Sequence, residues 1–179
     1  MLKLRRDIDA GKIGIAGHSQ GGWIAPLAAA KSGDVAFVIV GGAAAVTPAE
    51  QSIYHRAGVM RAAGMTDGEI TEATRLREKI YLLNRKILAG DRDVMEFRSG
   101  LSKELADRKD ARWFSPAELP PELTGDLPPR GALELLFFDA ALVWPKEKVP
   151  VLAIWGDRDT VVPVEKSRAL IEGWLADAG

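Results

Sequence analysis

No cysteine occurs in the 179 residues, which excludes disulfides, thiolate nucleophiles and zinc–thiolate sites. Histidine is nearly as scarce, with only His18 and His55, and this bounds any chemistry that needs an imidazole. An excess of charge of one sign is also missing: 24 Lys and Arg against 25 Asp and Glu leave a formal net charge of −1. The basic cluster Lys3-Leu4-Arg5-Arg6 is short, so neither nucleic acid nor a membrane surface is expected as a partner. The longest apolar stretches, such as Val35 to Ala45, are too short to span a bilayer. No apolar core or small-residue cleavage site follows the basic start, so no signal peptide is expected and a cytoplasmic location is the default.

What remains is the composition of an ordinary globular domain, 47% hydrophobic and 27% charged. Lys12 to Ala16 is a short apolar run that reads as a buried strand. Gly22 to Lys31 reads as an Ala-rich helix stopped by Ser32-Gly33-Asp34. Val35 to Val40 is a continuous run ended by Gly41-Gly42, and it returns in kind at Val149 to Trp155 before Gly156. Runs without a polar face suit parallel strands covered on both sides. Strand, helix, strand at this spacing predicts an α/β fold with a parallel sheet.

Between the second and third strands the pattern becomes helical. Pro48 to Ala63 reads as one helix. Thr66-Asp67-Gly68-Glu69 is a capping box opening a second, with Ile70, Ala73, Leu76, Ile80, Leu83 and Ile87 on one face and Gly90 as its stop. Asp93 to Ala106 predicts a third, weaker helix. Pro116 to Pro129 holds five prolines and predicts an irregular connection. The expected organisation is therefore a core over 1–46, a mostly helical insertion over 47–147 and a late core over 148–179. The insertion is expected either as a lid over the carboxyl edge of the sheet or as extra packing that touches no ligand.

Gly17-His18-Ser19-Gln20-Gly21 fits G-x-S-x-G and sits between the first strand and the first helix. A serine hydroxyl becomes a nucleophile only if its oxygen stands clear and a base can reach it. A sharp strand-to-helix turn achieves this at the cost of backbone strain, and flanking glycines relieve the crowding. The helix then points its N-terminus at the reacting centre, where the Gln20 N–H can hold an oxyanion. The other reading is a plain glycine-rich turn that binds a phosphate. G-x-G-x-x-G is not matched, because Ser19 stands at its second glycine.

The segment Ile13 to Pro26 resembles the nucleophile elbow of the α/β-hydrolase superfamily, in its bacterial esterase, dienelactone-hydrolase-like and prolyl-oligopeptidase-like branch. Val149 to Pro163 is similar to the late strand and acid loop of that family, patterned G-x-x-D-x-x-V-P, and this register places the catalytic acid on Asp159. Asp159 also lies just past a strand's carboxyl end, where open α/β sheets hold their sites, and it follows the serine in chain order. Asp157 is the competitor, with a turn-forming role as its alternative.

The resemblance implies a third member, a histidine after the helix that follows Asp159, and no residue answers to it. His18 is expected to pack beneath the elbow, and His55 precedes the acid. Several strands that the family places before the elbow have no counterpart either. The resemblance thus implies a hydrolase truncated at both ends, weakly active or inactive alone, acting on a small-molecule acyl substrate without metal or organic cofactor. The expected function is carboxylic-ester hydrolysis, with a peptidase-like hydrolase or a non-catalytic binding module as alternatives. Apolar sheet edges also predict self-association.

Overall fold

Three parallel strands organise the first part of the chain: β1 (Ile15–His18), β2 (Val38–Gly41) and β3 (Val151–Ile154), in the order β1-β2-β3. This computed structural model describes residues 2–114, 123 and 128–178. In register, Ile15, Val38 and Val151 form one row across the sheet, and His18, Gly41 and Ile154 another. Strand β1 begins three residues later than the apolar run does and runs through His18. Pairing decides its extent: the Ile15 N–H donates to Phe37 O at 3.0 Å and the Ser19 N–H to Gly41 O at 3.0 Å.

Cα partners in a parallel sheet share a face, and residues alternate along each strand. One face carries Ile15, Gly17, Val38, Val40, Val151 and Ala153, with Val38 and Val40 fully buried. Helix α1 (Gly21–Lys31) packs against β1 and β2. The other face carries Ala16, His18, Ile39, Gly41, Leu152 and Ile154, and the last two are each 53% exposed. The expectation of strands covered on both sides is therefore met on one side among the described residues. An apolar run records that a strand is apolar, and not which faces receive a neighbour.

The chain divides into two compact units, residues 1–47 with 139–179, and residues 48–138. In the first, the turn around the fully buried Trp144 packs on α1 and on α6 (Val164–Asp177).

The second unit holds α2 (Pro48–Ala62), α3 (Asp67–Ala89), α4 (Val94–Ala106) and α5 (Arg130–Leu136). Helix α3 opens with the expected capping box: Thr66 Oγ1 accepts from the Glu69 N–H, and Glu69 Oε2 accepts from the Thr66 N–H at 2.7 Å. It closes at Gly90, whose φ of 71° is the left-handed value glycine adopts without strain. Its buried face holds Ile70, Leu76, Ile80 and Leu83, and the last three meet Leu101 and Leu105 of α4. Burying each such leucine contributes about 1.5–3 kcal/mol. Helix α5 went unforeseen, hidden behind the prolines that precede it. Apart from Leu123, Pro128 and Pro129, the expected irregular connection over Pro116–Pro129 lies outside the described residues.

Candidate active site

Ser19 is the one non-glycine residue with positive φ among those described, at 55°. For an L residue that conformation costs on the order of 1–2 kcal/mol and persists only where the surroundings impose it. Here the strand side imposes it through Ser19 N–H to Gly41 O. The helix side does so through Gly22 N–H to Ser19 O at 2.8 Å and Trp23 N–H to Gln20 O at 3.0 Å. Ser19 is exposed. The Gln20 N–H finds no acceptor among the described residues, and the first turn of α1 carries no acidic side chain. A positive helix end and a free donor therefore lie next to the hydroxyl-bearing residue.

The glycines divide differently from expectation. A Cβ on Gly17 would lie 2.0 Å from Gly21 O, so strand and helix can meet only if residue 17 has no side chain. A Cβ on Gly22 would lie 2.6 Å from Ala43 Cβ. One on Gly21 would meet nothing within 4 Å. The crowded positions are thus 17 and 22: the Gly21 backbone presses on residue 17, while a side chain on Gly21 itself would point into open space.

Asp159 stands beyond β3, partly buried. Its Oδ1 accepts from the Val161 N–H at 2.8 Å and the Val162 N–H at 2.9 Å, which fixes the carboxylate, while Asp157 on the same loop is exposed. The other oxygen, Oδ2, approaches Gly42, lying 4.0 Å from where a Cβ on that residue would be. His18 Nε2 lies 3.7 Å from the same point. Gly42, with φ of 57°, thus keeps open a space flanked by an imidazole and a carboxylate at the carboxyl edge of β2. His18 does not pack beneath the elbow. It is exposed, because alternation puts it on the face of β1 opposite Gly17, which is the uncovered one. His55 belongs to α2, in the helical unit.

Sequence reasoning missed what supports this edge. The loop after β2, Ala43 to Val46, is almost wholly buried, and buried backbone needs partners. It finds them in distant side chains. Trp155 Nε1 donates to Ala43 O at 2.9 Å, Trp23 Nε1 donates to Ala44 O, and Ser167 Oγ accepts from the Ala45 N–H at 3.2 Å. The only signal was the run of small residues, Gly41 to Ala45.

Among the described residues no helix is long and apolar enough to cross a membrane. No curated protein and no solved structure matches the chain. A family model described as alpha/beta hydrolase family matches residues 2–178.

Proposed function

The chain belongs to the alpha/beta hydrolase family, and from that premise we propose a serine hydrolase of the carboxylic-ester type, with Ser19 as nucleophile. The observation that carries the reading is the φ of 55° at Ser19, between the end of β1 and the start of α1. Ser19 Oγ attacks the acyl carbon, its proton passes to an imidazole, and the carbonyl electrons move onto an oxygen held by the Gln20 N–H. Asp159 would orient that imidazole, which neither His18 nor His55 supplies, and stabilise its charged form. Its two backbone hydrogen bonds support this role over Asp157, since they leave Oδ2 aimed along the sheet edge.

Neither His18 nor His55 is assigned as the base. His18 follows Gly17 on the open sheet face, and His55 sits on α2. Loss of a triad member leaves a residual acceleration on the order of 10³–10⁴ over water, so slow ester turnover by these 179 residues is the expected outcome. Added imidazole should raise it in the parent protein, and not in Ser19→Ala or Asp159→Asn. Fast turnover abolished by His18→Ala or His55→Ala would show instead that the base is already present. Turnover indifferent to Ser19→Ala would favour a non-catalytic binding module. Amide analogues tested beside the esters separate the peptidase-like alternative.

The uncovered face bearing Leu152 and Ile154 supports self-association. Sedimentation velocity at rising concentration tests it, and a monomer throughout would remove the idea.

A further inference from the structure

The loop that carries Asp159 is tied at both ends to one short segment. It leaves β3 after Ile154, whose carbonyl accepts from the Gly42 N–H at 2.9 Å. One residue on, Trp155 Nε1 donates to Ala43 O at 2.9 Å. The loop runs into α6, where Ser167 Oγ accepts from the Ala45 N–H at 3.2 Å. Trp155 and Ser167 thus bracket Asp159 in the chain, and both reach the loop that follows Gly42. Between them Gly156, Asp157, Arg158, Thr160 and Val161 are exposed, so packing does little to fix their path.

Each tie passes to the carboxylate through short links. Ser167 is fully buried, and its N–H donates to Pro163 O at 2.9 Å in the first turn of α6. The adjoining Val162, also buried, donates its N–H to Asp159 Oδ1 at 2.9 Å. At the other end the Asp159 N–H donates to the carbonyl of Gly156, next to Trp155, at 3.3 Å. The second carboxylate oxygen, Oδ2, is the one beside Gly42. The segment that Trp155 and Ser167 grip therefore begins one residue after the glycine that Asp159 faces.

We propose that Trp155 and Ser167 are positioning residues for Asp159, a two-point clamp that sets where Oδ2 stands over Gly42. The inference rests on reading Asp159 as the acid that orients an imidazole. Amide hydrogen exchange of the whole chain tests the clamp without reference to catalysis. Ser167→Ala and Trp155→Phe should each speed exchange at Val162 about tenfold, the scale of one lost hydrogen bond, with the α3 amides unchanged. Ser167→Cys, whose thiol is a weak acceptor, should restore part of the protection. Should Ser167→Ala lose α3 protection as well, Trp155→Phe, at a half-buried position, carries the test. Imidazole-assisted hydrolysis of p-nitrophenyl acetate reads the consequence. Both substitutions should raise the half-saturating imidazole concentration about tenfold with the ester KM unchanged, since misplacing a catalytic group by about 1 Å can cost about 10²-fold. In an Asp159→Asn background neither should lower the residual turnover further. Val162 exchange unchanged in both variants, or equal losses with and without the Asp159 carboxylate, would overturn the proposal. Imidazole acceleration that persists in Ser19→Ala would overturn the hydrolase reading instead, and Val162 exchange would still decide the clamp.

Discussion

The sheet unit and the helical unit are built on opposite terms. In the sheet unit the informative positions are those of the backbone: φ of 55° at Ser19 and 57° at Gly42, and a strand–helix contact at Gly17 that admits no Cβ. In the helical unit they are side chains on regular helices. Leu76, Leu83 and Leu101 lie inside, and on its surface Glu104 bridges Lys79 and Arg75 while Glu72 takes Arg108 and Trp113. One unit is specified by what particular residues lack, the other by a repeating pattern. The proposed chemistry belongs with the first kind, because holding a hydroxyl clear of its surroundings requires geometry that a regular helix does not contain.

That contrast can be broken by mutation. The largest effect is expected in the helical unit's core: Leu83→Ala, at a fully buried position, should cost about 2–5 kcal/mol in urea unfolding. Leu83→Met, which keeps the volume, should cost under about 1.5 kcal/mol. Equal costs would mean that pattern alone does not hold this unit. In the sheet unit, adding one methyl group should matter more than removing one. Gly17→Ala should cost about 1–3 kcal/mol or more, as overpacking does, whereas Gly21→Ala should be neutral or stabilise by up to about 1 kcal/mol. Similar melting temperatures for the two variants would contradict the close approach at Gly17.

The smallest effect concerns pH. Hydrogen bonds from Arg108 and then Trp113 hold the Glu72 carboxyl below its ordinary 4.5, and Lys79 does the same for Glu104. A carboxyl with a lowered folded-state pKa contributes stability above its unfolded pKa and loses it as pH falls through the folded one. Weakening of the helical unit should therefore begin only below about pH 4.5. Glu72→Gln should flatten that acid limb in a series of urea midpoints. Both carboxyls still reach solvent, Glu72 more than Glu104, so screening should keep the change modest.

Legibility followed the same division. The capping box at Thr66, the face through Ile70, Leu76, Ile80 and Leu83, and the stop at Gly90 could be read because helix signals are local. The turn at Ser19 could be read because glycine and serine spacing is local too. The extent of β1 could not, since Phe37, just before β2, and Gly41, at its end, decide it. Nor could the open sheet face that exposes His18, or the partners of Ala43, Ala44 and Ala45. These depend on residues more than twenty, and in two cases more than a hundred, positions away.

Those distances set an order of events in time. Ala43 and Trp155 are 112 residues apart, Ala45 and Ser167 122, while α3 meets α4 across a short turn. Closing the long loops costs more chain entropy than closing the short one, and contacts of high sequence separation form late. During synthesis the loop after β2 leaves the ribosome early, yet its supports at Trp155 and Ser167 come more than a hundred residues behind. Pulse-labelled hydrogen exchange is expected to find the Ala45 amide protected after those of α3, and the reverse order would refute this sequence. The buried loop beside the Ser19 turn is then set last, so a chain interrupted before Ser167 carries the motif without that support.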